Sequence, residues 1–417
     1  MDFPTRHLNQ PLPYDSSYEI EEEDEAQTIA GLQEAMRSVA ETVHKDSGHA
    51  PRGVHAKSHG LLRGQLRVLD RIPPDYAQGL FATAGEYPVV MRLSTTPGDL
   101  LDDKVSTPRG MALKIIGVPG ERLADGQGDT TQDFVMVNGP VFLSPTAKQF
   151  LGSTKLLAAT TDKAPALKKA FSAALQGAEK AIEAVGGESA TLKGLGGHPE
   201  THILGETFYT QVPVLFGRYM AKLSLVPVSP GLVALKDRPV DLDGKPNGLR
   251  GAVVDFMTEH HAEWELRVQL CTDLAEMPIE NPTVEWSSPW VAVARISAGP
   301  QAGWTHGLSV LVDDGMQFNP WHCIAAHRPL GSIMRVRRAV YAESARFRAE
   351  RNGTPIAEPV NLDHWREHRS AARPSLNTCS STPPRTCAPN ARTTTCRCAG
   401  YRGRSATACR SGSAPPD

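Results

Sequence analysis

The stretch Arg52-Gly-Val-His-Ala-Lys-Ser-His-Gly60 sets one histidine, His55, among basic residues just where the first strand pattern begins. An imidazole titrates near neutral pH and can take and return a proton within one reaction cycle, which makes His55 a candidate acid/base. A lone histidine is more often a satisfied structural residue, so two later stretches must decide. One is Val135-Met-Val-Asn-Gly-Pro-Val-Phe142, containing Asn138, and the other is an arginine-rich helical stretch that includes Arg337-Arg-Ala-Val-Tyr341. On that helix Arg337 lies four residues before Tyr341 and Arg348 seven beyond it, so all three share roughly one face. A phenol ordinarily titrates near ~10, but a guanidinium one turn away favours the phenolate, an axial ligand type that ferric haem accepts. Taken alone, a core tyrosine beside surface arginines is the commoner arrangement.

These residues need a frame. Strand patterns run over Gln65–Ile72, Tyr87–Thr96, Gly110–Val118 and Asp133–Leu143, and again over Arg218–Val228, Leu249–Met257, Trp264–Asp273 and Trp290–Ala298. The seventh alternates most cleanly, with Trp264, Leu266, Val268 and Leu270 on one face and Glu265, Arg267 and Gln269 on the other. Helical patterns lie between and around them. Ile29, Leu32, Met36, Val39 and Val43 share one helical face behind an acidic start, residues 145–185 read as helix, and Gly186–Gly197 reads as loop. A long helix after Pro329 and Gly331 stops at Asn352-Gly353. The pattern predicts an α+β fold, an antiparallel eight-stranded β-barrel with inserted and C-terminal helices, with a two-sheet sandwich as the alternative. Three regions are expected: an N-terminal arm and helix over 1–49, the barrel domain over 50–369, and a disordered Cys/Arg-rich tail over 370–417.

Composition narrows the class. The 417 residues are 40% hydrophobic and 22% charged, with a formal charge of −2, which gives no reason to propose a nucleic-acid or membrane surface. No signal-peptide pattern opens the chain and no apolar run is long enough to span a bilayer, so the default compartment is the cytoplasm. Cys271 and Cys323 stand alone in the body while five cysteines crowd the last 40 residues, so the body carries no disulfide framework.

Five stretches together resemble the haem catalase family. Arg52-Gly-Val-His-Ala-Lys57 looks like its distal-histidine motif, and Val90-Met-Arg-Leu-Ser-Thr95 and Thr107-Pro-Arg-Gly-Met-Ala-Leu-Lys114 look like its next two strands. Asn138-Gly-Pro-Val-Phe142 is similar to the distal asparagine segment, and Arg337 to Tyr341 to the proximal Arg-x-x-x-Tyr signature, all in family order between about 50 and 355. The resemblance implies haem b, an iron cofactor, buried between barrel and helices. His55 would be the distal acid/base, Ser94 would orient it, Asn138 would help hold peroxide, and Tyr341 would ligate the iron. Arg52, Arg92 and Arg348 would meet the propionates, Phe142 and Phe150 would flank the ring, and Arg337 would sit against the phenolate. The implied partners are a peroxide and a small-molecule electron donor, with a homo-oligomer plausible from the family.

The chain also differs from the typical pattern. Ser58-His59-Gly60 replaces Gly-Ala-Gly, Leu143-Ser-Pro145 stands where Arg-Asp follows the paired phenylalanines, and Ala342-Glu-Ser344 replaces Pro-Asp-Thr after the tyrosine. With a short arm and no visible C-terminal nucleotide-binding domain, the chain looks like the minimal catalase-related peroxidase branch, whose access channel would admit bulkier peroxides or organic donors. A fatty-acid hydroperoxide isomerase of the related allene oxide synthase type would carry Thr before the distal histidine, where this chain has Val54. A non-enzymatic haem or apolar-ligand carrier barrel would need neither His55 nor Asn138. A zinc hydrolase built on His55 and His59 lacks the glutamate after the first histidine.

Overall fold

The computed structural model describes residues 10–160 and 199–367, apart from 97, 99, 106 and 127. The expected helix beyond 160, the loop over Gly186–Gly197 and the tail from 370 lie outside the described residues. Nine strands form one antiparallel sheet: β1 (Lys57–Val68), β2 (Glu86–Thr95), β3 (Arg109–Ile115), β4 (Gln132–Val137), β5 (Phe208–Tyr209), β6 (Val214–Phe216), β7 (Tyr219–Pro227), β8 (Ala262–Leu270) and β9 (Trp290–Ala298). The order runs β5-β4-β3-β2-β1-β9-β8-β7-β6, and a further β5–β7 pairing closes eight of them into a ring, with β6 paired to β7 outside it. The expected eight-stranded antiparallel barrel is therefore what the chain builds, and closure removes the sheet edges.

One of its staves is not the one expected. Leu249–Met257 is not a strand but lies in helix α3 (Gly248–Glu259), following α1 (Glu25–Ser47) and α2 (Ala147–Thr160) in chain order. Leu249, Val253 and Met257 are its buried residues, and their four-residue spacing is that of a helix face. The missing stave is β5, whose two residues are too short to show any alternation. At other boundaries, β1 begins eight residues before the expected Gln65 and β4 stops at Val137.

Alternation along the staves separates two packed regions. Leu62, Met91, Leu93, Leu113, Phe134, Trp264 and Leu266 fill the interior, and burying each such aliphatic or aromatic side chain contributes about 1.5–3 kcal/mol. The intervening residues of β1 to β4 face outward, where Leu61, Val90 and Ala112 pack with Leu308, Val312, Met316 and Phe318 of the segment after β9. The last long helix, α4 (Ser332–Asn352), ends at Gly353 in the left-handed region (φ 62), whose N–H bonds Ala349 O. It packs against α1, which also packs against α2. Among the described residues no helix is long and apolar enough to cross a membrane.

Candidate functional site

A cavity opens between the outer face of β2–β4 and the helices α1 and α4. The strands present Arg92, Ser94, Gly110, Ala112 and Val135 to it, α4 presents Val340, Tyr341, Ser344, Ala345 and Arg348, and α1 presents Met36. Arg52 to His55 enter from the turn before β1, and Gln317 and Phe318 from the segment after β9. Six of the sequence-derived site residues (Arg52, His55, Arg92, Ser94, Tyr341 and Arg348) thus meet around one space.

His55 sits at the mouth of β1 with a left-handed backbone (φ 51), a conformation seldom adopted outside glycine and held only where the surroundings impose it. Its Nδ1 lies 3.2 Å from Ser94 Oγ. Gly110, the ladder partner of Ser94, makes room for the ring, because a Cβ there would lie 2.7 Å from His55 Nδ1. Burial pushes the imidazole down to about 3, with the Arg92 and Arg337 cations adding to the effect. At neutral pH His55 is therefore an uncharged base.

Three guanidinium groups gather beside it. Arg52 Nη2 donates to Val312 O and Met316 O, both at 2.9 Å. Arg348 Nη1 donates to Asp313 O and Asp314 O at 2.6 Å and its Nη2 to Met316 O at 3.1 Å. Arg92 Nε donates to Asp313 Oδ1 at 2.7 Å. Burial first, then the Arg348 and Arg92 charges, lower Arg52 well below its ordinary value, and burial pushes Arg348 down to about 10. The buried Nε atoms of Arg52 and Arg348 have no hydrogen-bond partner among the described residues. Three cations beside the Asp313 and Asp314 carboxylates leave surplus positive charge, an arrangement that suits an anionic ligand.

The remaining candidates lie outside the cavity lining. Phe142 and Phe150 meet edge to face with centroids 5.1 Å apart, and the Arg337 guanidinium lies 5.2 Å from the Phe142 ring centroid. Both phenylalanines join the packing around Leu32, Ile333 and Val336. Asn138 follows Val137, the ladder partner of Gly110; its Oδ1 accepts from Arg109 N–H at 2.9 Å and its Nδ2 donates to Glu206.

Sequence reasoning gave no role to Asp313 or to His322. Asp313 lies in the π-helical turn Val310–Asp314, a local form frequent at functional sites. His322 belongs to a second buried charge cluster on the same barrel face. There Lys114 Nζ bonds both Asp133 oxygens at 2.8 Å and pairs with Glu358, while His322 Nδ1 lies 3.4 Å from Asp133 Oδ2.

With this geometry in view, solved structures give the fold its class. The chain is similar to a fungal catalase (TM-score 0.52, 16% identity, 76% of this chain and 66% of that one). It is equally similar to catalase A from Saccharomyces cerevisiae (0.53, 17%, 73% and 62%) and to a bacterial catalase (0.53, 16%, 76% and 61%). The fold is catalase-like, and the aligned part of these catalases amounts to 61–66% of their length. No family model matches the sequence, and no curated protein does.

Proposed function

We propose that this chain is a haem-dependent hydroperoxidase that reduces hydrogen peroxide or organic peroxides with electrons from a small-molecule donor. The observation that carries the reading is the meeting of His55, Tyr341 and three arginines, distant in sequence, around one cavity of a catalase-like fold. Haem b suits this lining: a planar apolar ring would lie against Met36, Val54, Ala112, Val135 and Val340, and its carboxylates would satisfy the guanidinium nitrogens left bare on Arg52 and Arg348. Bound there, haem would supply the redox-active iron at which the peroxide O–O bond is cleaved.

The chain's own residues supply the rest. Tyr341 is assigned as the iron ligand, and Arg337, one helical turn before it, is assigned to the ligand's side of the helix. Arg52, Arg92 and Arg348 are assigned to the carboxylates. With a proton on Nδ1 donated to Ser94 Oγ, His55 keeps Nε2 as an acceptor; it takes the proton of one peroxide oxygen and returns it to the leaving oxygen. Asn138, its amide fixed by Arg109 and Glu206, is assigned to orient the peroxide as a neutral group. Phe142 and Phe150 are assigned to the flank of the ring. The departures Ser58-His59-Gly60, Leu143-Ser-Pro145 and Ala342-Glu-Ser344 support an emphasis on peroxidase over catalase turnover, with organic peroxides and donors as substrates.

The test is the visible absorption spectrum of the protein supplied with haem, compared with Tyr341→Phe. A ferric high-spin spectrum of phenolate type, lost in the variant, is expected. A protein that takes up no haem, or a spectrum indifferent to the substitution, would turn the reading towards a carrier barrel.

A further inference from the structure

We infer that Asp313 is a positioning residue for His55, acting through Arg92. The carboxylate is held from three sides: Oδ1 accepts from Arg92 Nε at 2.7 Å, and Oδ2 accepts from the hydroxyls of Ser58 and Ser309, each at 2.7 Å. Ser58 Oγ is itself fixed, accepting from Trp304 Nε1 at 2.9 Å. Arg92, aligned by that carboxylate, donates from Nη2 to His55 O at 2.9 Å and to Ala56 O at 3.2 Å.

The two carbonyls that Arg92 holds belong to the residue with the left-handed backbone and its successor. A strained backbone persists only where neighbouring contacts over-determine it. The Ser94 contact fixes the His55 ring, whereas the Asp313–Arg92 pair fixes the main chain from which the ring projects. Burial opposes the charge on Asp313, but the Arg92 and Arg52 guanidiniums, followed by the Ser58 and Ser309 hydroxyls, outweigh it and hold the carboxyl below its ordinary range. The carboxylate is thus ionised at neutral pH, and a charge-assisted bond keeps Arg92 in place.

This assignment rests on His55 being the acid/base of the proposed reaction, but its test needs no haem. The full chain, free of cofactor and carrying ring-labelled histidine, is compared with Asp313→Asn and Asp313→Glu by NMR, the His55 signal being identified by its loss in His55→Gln. In Asp313→Asn the His55 signal is expected to move towards the positions of exposed histidines, while Asp313→Glu, which keeps the charge, restores much of the original position. Asp314→Asn serves as the control and leaves the signal where it was. An unchanged His55 signal in folded Asp313→Asn would overturn the assignment. Should that variant not fold, Ser58→Ala decides the matter, since it removes one bond to the carboxylate and no charge: a smaller shift of the same sign supports the role and none overturns it. Failure to bind haem would sink the functional reading alone.

Discussion

Two clusters of buried charge lie side by side on the outer face of the barrel, and the Phe318 ring separates them, with Arg52 5.6 Å from its centroid and Lys114 5.4 Å. In the cavity cluster Arg52, Arg92 and Arg348 face Asp313 and Asp314, so cation exceeds anion, and two guanidinium nitrogens have no hydrogen-bond partner among the described residues. In the other, Lys114 faces Asp133 and Glu358, with His322 at its edge, and the carboxylates also accept from Asn319 N–H at 2.9 Å and Gln317 N–H at 3.2 Å. Both clusters incur the cost of desolvating ions, but in the second Lys114 and His322 each have a carboxylate beside them. The contrast separates a cluster that holds the chain, by tying residues 317–319 to the barrel wall, from one shaped to receive an anion.

The sharpest way to break that contrast is Lys114→Met, which strands the buried Asp133 carboxylate and the partly buried Glu358. A loss of about 3–5 kcal/mol is expected, because removing one partner leaves an uncompensated charge. Denaturant unfolding measures it, and adding Asp133→Asn should recover part of the loss. A loss of under about 1 kcal/mol would place the cluster among weak exposed pairs.

Arg52→Met should cost less stability than Lys114→Met, since it relieves repulsion with Arg348 and Arg92. Its larger effect is expected on haem affinity, about tenfold or more, the scale of one charge-assisted hydrogen bond. Titration with haem alongside unfolding checks both, and equal stability losses in the two variants would erase the distinction between the clusters.

The smallest effect is a difference in pH slope between two histidines. Burial works against a charge on His322, but Asp133, aided by Glu358, raises its pKa above the ordinary imidazole value. The stability this contributes is full below that ordinary value and is lost as pH rises through the raised one. His55, lowered from 6.5 to about 3, has the opposite sign: the unfolded chain binds its proton first, so stability falls on acidification through that window. Unfolding midpoints across pH should show a shallower acid slope in His55→Gln and a flatter alkaline slope in His322→Gln.

The stave pattern was legible wherever a strand had one face in the barrel interior, as along Trp264, Leu266 and Val268. It failed at Leu249–Met257, where Leu249, Val253 and Met257 keep helix spacing inside a run short and apolar enough to pass for a strand, and at β5, which is too short to carry a pattern. The site was legible through spaced motifs that set His55, Ser94, Arg92 and Tyr341 around one cavity. Asp313 was not, because Val312-Asp-Asp-Gly315 reads as a polar turn and gives no sign that one carboxylate turns inward. The buried neighbours Leu308 and Val312 were the available hint. Ser58 and His59, where the resembling family carries Gly-Ala, read as a departure, and His59 also as the second histidine of a rejected zinc pair. In the fold Ser58 bonds Asp313, and His59 occupies a bulge in β1 with Nε2 2.9 Å from Thr95 Oγ1.

The cavity wall joins two distant parts of the chain: Met36 from α1 stands opposite Tyr341 and Arg348 from α4, and Ala50 exchanges two hydrogen bonds of 2.9 Å with the Asn352 side chain. A ribosome adding ~5–20 residues per second completes the second wall roughly 15–60 seconds after the first. Until then Met36 and the rest of its helical face have no α4 to rest on, and no cofactor pocket exists on the nascent chain. Any ligand of this cavity can thus settle only after α4 has been made, and until then the apolar stripe of α1 lacks that partner.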